Sequence, residues 1–212
     1  PEDAVRIEEM LNYFYYDYPK PKEGEPFSVT ARLAQCPWND KHDLLQIGLQ
    51  AEKLDEGTMP KSNLVFLLDV SGSMEAPDKL DLVKRAFLMM TEYLKSDDTI
   101  SIVTYASDDR IVLDGAAGED RLSIMTAIEN LSAGGSTHGS RGIETAYQLA
   151  EKHYIEGGNN RVILATDGDL NVGITSEGGL TRLIKDQKDR GVFLSVLGFG
   201  TGNLKDNKME AM

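Results

Sequence analysis

The chain has 212 residues, 41% of them hydrophobic, enough for one large domain or one domain with a small module. Its 35 acidic residues against 22 Lys and Arg give a net charge of −13. That balance argues against a nucleic-acid backbone or an anionic lipid surface as partner, since both are met by Lys and Arg. No run approaches the roughly 18 apolar residues that span a bilayer, so membrane insertion is not expected. The single Cys36 permits neither an intrachain disulfide nor a thiolate-rich metal cluster, and its surroundings suit a buried structural thiol. The first residue is Pro1, as in a processed or trimmed chain.

In chain order, residues 3–15 predict a short helix with Val5, Ile7, Met10, Leu11 and Phe14 on one face. The prolines at 19, 21 and 26 and Gly24 end it. Residues 27–33 and 45–49 alternate apolar and polar side chains and predict a β-hairpin around the turn at Pro37, Trp38, Asn39 and Asp40. A lone hairpin is marginal in water, so this extension, residues 1–61, must pack on something else. Trp38, Tyr13, Tyr15, Tyr16 and Tyr18 are read as packing between the N-terminal segment and the main domain, ahead of the alternative of an exposed adhesive patch.

From Ser62 the pattern becomes strand alternating with helix. Residues 64–68 form a continuous apolar run ending in Asp69, as in a strand covered on both faces. Asp78 is placed to cap a helix whose stripe is Leu80, Val83, Phe87, Met90 and Leu94, with Met89 and Met90 as core material. Strands at 100–105 and 111–113 follow, then helices at about 120–131 and around Ile143, Ala146, Ala150 and Tyr154. A strand at 162–165, a helix around Leu180, Leu183 and Ile184 and a strand at 192–197 complete the series. This order predicts an α/β fold over 62–212, a doubly wound, mostly parallel sheet with helices on both faces, ending before its last strand.

Ligands of such sheets bind at the carboxyl ends of the strands. Three polar groups fall there: Asp69, Ser71 and Ser73 after the first buried strand; Gly134, Gly135, Ser136, Thr137 and His138 in the loop entering a helix; and Thr166, Asp167, Gly168 and Asp169 after the strand at 162–165. Alternate residues of an extended segment project to one side, so Asp69, Ser71 and Ser73 can converge. Alone they read equally well as a strand-end turn and a helix cap. With Thr137 and Asp167 at the same edge they make an all-oxygen set, which suits a hard cation such as Mg²⁺ and not zinc. Asp169 reads as a solvated loop residue, His138 as a polar rim contact, and His42 and His153 as ordinary histidines.

Asp69, Ser71, Ser73, Thr137 and Asp167, in this order, resemble the metal-ion-dependent adhesion site of von Willebrand factor type A domains, over roughly Ser62 to the C-terminus. The whole chain is also similar to bacterial proteins of that family with an N-terminal extension. The resemblance implies Mg²⁺, or Mn²⁺ or Ca²⁺, with Ser71 and Ser73 as direct ligands. Asp69 and Asp167 would act through water, and Thr137 directly or through water. It further implies an adhesion or interaction module that takes an Asp or Glu carboxylate of a protein partner on the metal, at a bacterial envelope or outside the cell. The integrin β variant carries acidic residues for a neighbouring second metal where this chain has Ala76 and Pro77, so no second ion is expected there.

No catalytic motif of the nucleophile-elbow, phosphate-loop or dinucleotide type is present, and an enzyme is not expected. The alternatives are Mg²⁺-dependent phosphoryl transfer with Asp69 as nucleophile, and an assembly module with a vacant metal site. Phosphoryl transfer wants a second carboxylate two residues on and a positioned lysine. Ser71 stands at the first place, and Lys79 and Lys84 are expected on the following helix.

Overall fold

The structure is a computed structural model that describes residues 7–52, 59–135, 141–168 and 177–200. It divides into two compact units, Pro1–Met59 and Pro60–Met212. In the first, helix α1 (Ile7–Asn12) is followed by strands β1 (Phe27–Gln35) and β2 (Asp43–Ala51). These pair antiparallel from Phe27 opposite Ala51 to Gln35 opposite Asp43, a longer hairpin than the alternation alone marks. Cys36 is buried at the turn, where its N–H donates to the His42 carbonyl at 3.0 Å. Of the aromatic residues expected to pack, Tyr18 lies over Gly48 and stacks on Tyr16, whereas Trp38, Tyr13 and Tyr15 are exposed.

The second unit holds β3 (Ser62–Asp69), α2 (Leu80–Met90), β4 (Thr99–Tyr105), β5 (Asp109–Ala117), α3 (Arg121–Glu129), α4 (Gly142–Lys152), β6 (Asn159–Thr166), α5 (Glu177–Asp189) and β7 (Val192–Gly198). The five strands form one sheet in the order β5-β4-β3-β6-β7, parallel except for antiparallel β5 at one edge. The continuous apolar run of β3 follows from its central place. Val65 and Leu67 join a core cluster with α4, while Phe66 and Leu68 join another with α2 and α3 on the opposite face. Helices therefore cover both faces of a mostly parallel sheet, as the alternation of elements predicts.

Three local expectations change. β5 runs nine residues instead of three, because a bulge interrupts its alternation. Between the pairs Ile100–Ala116 and Ile102–Leu113 the register shifts, Gly115 takes φ +70°, and its N–H donates to Ser101 Oγ at 3.0 Å. The cap position of α2 is Lys79 and not Asp78, with no side-chain cap hydrogen bond. Met89 faces solvent, while Met90 packs against the core.

The chain enters this sheet at its centre. From β3 it moves outward to β4 and β5, then crosses back to β6 on the other side. The reversal makes the carboxyl ends of β3 and β6 the topological switch point, the place where such folds hold ligands.

Candidate metal centre

Asp69 ends β3, and Asp167 follows β6, the adjacent strand. Both carboxylates are almost fully buried. Asp69 Oδ1 accepts the Ser71 N–H at 2.9 Å, which folds the segment so that Ser71 Oγ and Ser73 Oγ lie 3.0 Å apart. A single 3-10 turn, Gly72–Glu75, then begins, anchored by Met74, which is wholly buried. Ser71 is buried beneath this turn, and Ser73 opens to solvent. Four of the five predicted ligands, Asp69, Ser71, Ser73 and Asp167, thus belong to one edge of the sheet.

Thr137, the fifth, lies outside the described residues, as do His138 and Asp169. The glycines before it are tied to the site: Gly134 N–H donates to the Val70 carbonyl at 2.8 Å, and Gly72 N–H to the Gly135 carbonyl at 3.1 Å. Gly135 takes φ +84°, a backbone that favours glycine.

Thr166 of the third polar group also reaches the site, with two residues that no sequence motif marks, Tyr105 and Lys79. Tyr105, the register partner of Asp69 on β4, donates its hydroxyl to Asp69 Oδ2 at 3.4 Å. Thr166 Oγ1 donates to the same oxygen at 3.3 Å and accepts the Gly168 N–H at 3.2 Å. Lys79 precedes α2 instead of riding on it, and its ammonium meets Asp167 Oδ2 at 2.8 Å and the Ser73 carbonyl at 2.9 Å. Lys84 does sit on α2, where it donates to the carbonyls of Glu129 and Leu131 at the end of α3. Tyr105, like Thr166, is the last residue of a buried strand, which is the signal that could have found it.

Burial raises the Asp69 carboxyl above its ordinary range, against the lowering effect of hydrogen bonds from Ser71, and the nearby charge of Asp167 adds to the rise. Burial, with Asp69 beside it, holds the Tyr105 hydroxyl well above its usual value, so it stays a donor. Two like-charged carboxylates at a buried edge call for a positive charge between them. Among the described residues no three His, Cys, Asp or Glu side chains converge, so the hydroxyls are what complete an oxygen set. Carboxylate and hydroxyl oxygens fit a hard divalent cation, and the ammonium seated on Asp167 shows that this edge accepts a cation.

The comparisons agree with this architecture. The family model described as von Willebrand factor type A domain matches residues 63–212, and one described as von Willebrand factor matches residues 1–46. The chain is 42% identical over 216 residues to the uncharacterized protein YfbK of Escherichia coli (strain K12), covering 99% of this chain and 38% of that protein. It is 31% identical to human inter-alpha-trypsin inhibitor heavy chain H3, over 73% of this chain and 18% of that one. The chain thus spans well under half the length of either relative. Among solved structures, the manganese-loaded Plasmodium vivax TRAP protein superposes with TM-score 0.55 at 21% identity, covering 71% of this chain and 61% of that one. BatB of Bacteroides thetaiotaomicron gives TM-score 0.55 at 20% identity, over 71% and 84%. With the sheet order, the helices on both faces and a family model matched over most of its length, the chain belongs to the von Willebrand factor type A domain family.

Proposed function

We propose that this domain is a metal-dependent protein-binding module. A divalent cation, Mg²⁺ or Mn²⁺ with Ca²⁺ as a further candidate, would be held by Asp69, Ser71, Ser73 and Asp167 with Thr137, and an Asp or Glu of a partner protein would complete its shell. Domains of this family serve as interaction modules, and one structural neighbour is manganese-loaded. The observation that carries the reading is the pairing of the two serine hydroxyls beside buried Asp69 at the switch point, with buried Asp167 linked to the Ser73 carbonyl through Lys79. The bound cation would supply a Lewis-acidic position for the partner's carboxylate. On the protein's side, Tyr105, Thr166 and the Ser71 N–H fix Asp69, while the exposed Ser73 marks the open side of the site.

Calorimetric titration of Mg²⁺ and Mn²⁺ tests this. One saturable site, lost in Asp69→Ala and Ser71→Ala, is expected, and a folded chain that binds neither ion overturns the proposal. At net charge −13 the chain repels an acidic partner at long range, so association should quicken as salt is added. An envelope or extracellular location belongs to the same proposal; one relative in fold is an aerotolerance-related membrane protein of Bacteroides fragilis. Fractionation of cells carrying the full-length protein checks it.

Lys79 on Asp167 supplies one element that phosphoryl transfer requires, so that reading earns a comparison. It ranks second because Asp69, the nucleophile it needs, is buried with Oδ1 accepting from Ser71 and Oδ2 from Tyr105 and Thr166. Hydrolysis of an aryl phosphate with Mg²⁺, abolished by Asp69→Asn, would reverse the ranking.

A further inference from the structure

Lys79 stands where helix chemistry does not ask for it. The cap position of α2 favours Ser, Thr, Asp or Asn, and a positive charge at a helix N-terminus opposes the helix dipole. Lys79 makes no side-chain cap there. Its side chain turns instead to the carboxyl ends of the strands, donating to Asp167 Oδ2 at 2.8 Å and to the Ser73 carbonyl at 2.9 Å. It is 13% exposed and Asp167 is 2% exposed, so this ion pair is largely withdrawn from water, unlike Lys61 with Asp97 at the surface. The path of the stem is also shaped. A Cβ on Gly200, after β7, would meet Lys79 Cε at 2.8 Å, so the bare backbone there leaves the lysine its passage.

Two cations cannot share these oxygens at close range, because their mutual repulsion is strong where water is excluded. We propose that Lys79 is the resident counter-ion of this acidic site, and that a divalent cation must displace its ammonium from Asp167 to enter. This rests on the divalent-cation reading above. Lys79 then sets cation affinity from within the chain: the charge of Asp167 is offset when no metal is bound, and the site loads only when the metal concentration is high enough to compete.

The test compares the full chain with Lys79→Met, which keeps the stem and removes the charge. Mg²⁺ and Mn²⁺ affinity is read by calorimetry, and thermal midpoints with and without saturating metal. The variant should bind about tenfold more tightly, about 1.4 kcal/mol. Its metal-free midpoint should fall, and the gap to the unmodified chain should narrow once metal is bound. Lys79→Arg, which keeps the charge, should bind no more tightly than the unmodified chain. If Lys79→Met loses its circular-dichroism signature, Lys79→Gln carries the same comparison. Affinity unchanged or weakened in the uncharged variant overturns the proposal, assigns Lys79 to positioning Asp167, and leaves the divalent-cation reading standing. Binding by the variant alone supports displacement, whereas no binding by either chain removes the divalent-cation reading and this inference with it.

Discussion

The α/β unit and the N-terminal unit treat their apolar side chains in opposite ways. In β3, Val65, Phe66, Leu67 and Leu68 have no exposed surface, because helices cover both faces of the strand. In the hairpin, Phe27, Val29 and Leu33 share a face with Leu49, Ile47 and Leu45, and these six side chains are 52% to 69% exposed. The opposite, polar face is the one that is covered. Tyr18 lies on Gly48 and accepts from Gln46 Nε2 at 3.3 Å, and Ser28 donates its hydroxyl to the Pro19 carbonyl. Alternation is thus enough to set a register, yet it does not provide a core. A two-stranded sheet has one layer, and its apolar face gains nothing until a second layer meets it.

The two units should differ most when they are separated. Residues 60–212 alone should melt in one cooperative transition, whereas residues 1–59 alone should show no cooperative melt by circular dichroism. A sharp transition in the shorter piece would mean that the hairpin is stable with its apolar face in water. A smaller effect comes from single truncations in the whole chain. Phe66 is fully buried and meets Phe87 with ring centroids 4.4 Å apart. Phe66→Ala should cost about 3–5 kcal/mol through the cavity it leaves. Ile47→Ala on the bare face should change stability by less than about 0.5 kcal/mol. Denaturant midpoints decide between them, and comparable losses at the two positions would show that the hairpin face is covered in solution.

The same contrast explains what could be read from the sequence. The run at 64–68 required a strand buried on both sides, and Asp69 at its end fixed where the polar cluster had to lie. The spacing of Ser71 and Ser73 held because a strand end followed by one tight turn is local geometry. Lys79 escaped because its reach depends on how the 3-10 turn redirects the chain before α2, and on β6 delivering Asp167 from 88 residues away. Tyr105 escaped for a related reason: its link to Asp69 runs across the sheet register and not along the chain. The length of β5 was hidden by Asp114 and Gly115, whose bulge reads as a break in the alternation. In the hairpin the alternation was plain, but no pattern within it names the layer that belongs on its apolar face.

The smallest predicted effect lies on the rim of the α/β unit, where a covered fold still meets water. Asp114 on β5 accepts from His153 Nε2 at 2.7 Å and from Lys152 Nζ at 2.6 Å, joining the edge strand to the end of α4. Hydrogen bonds first from His153 and then from Lys152 hold its carboxyl below the ordinary aspartate range. A carboxyl whose pKa is depressed by folding adds stability that is complete above its unfolded value and is lost as pH falls through the folded one. The difference in thermal midpoint between the natural chain and Asp114→Asn should therefore be constant at neutral pH and shrink below about pH 4. Because the group is solvent-exposed, the difference should be modest throughout and diminish further in high salt. A gap that widens on acidification would show that Asp114 is destabilising when charged, and that the edge strand is held by its backbone ladder to β4 and not by this bridge.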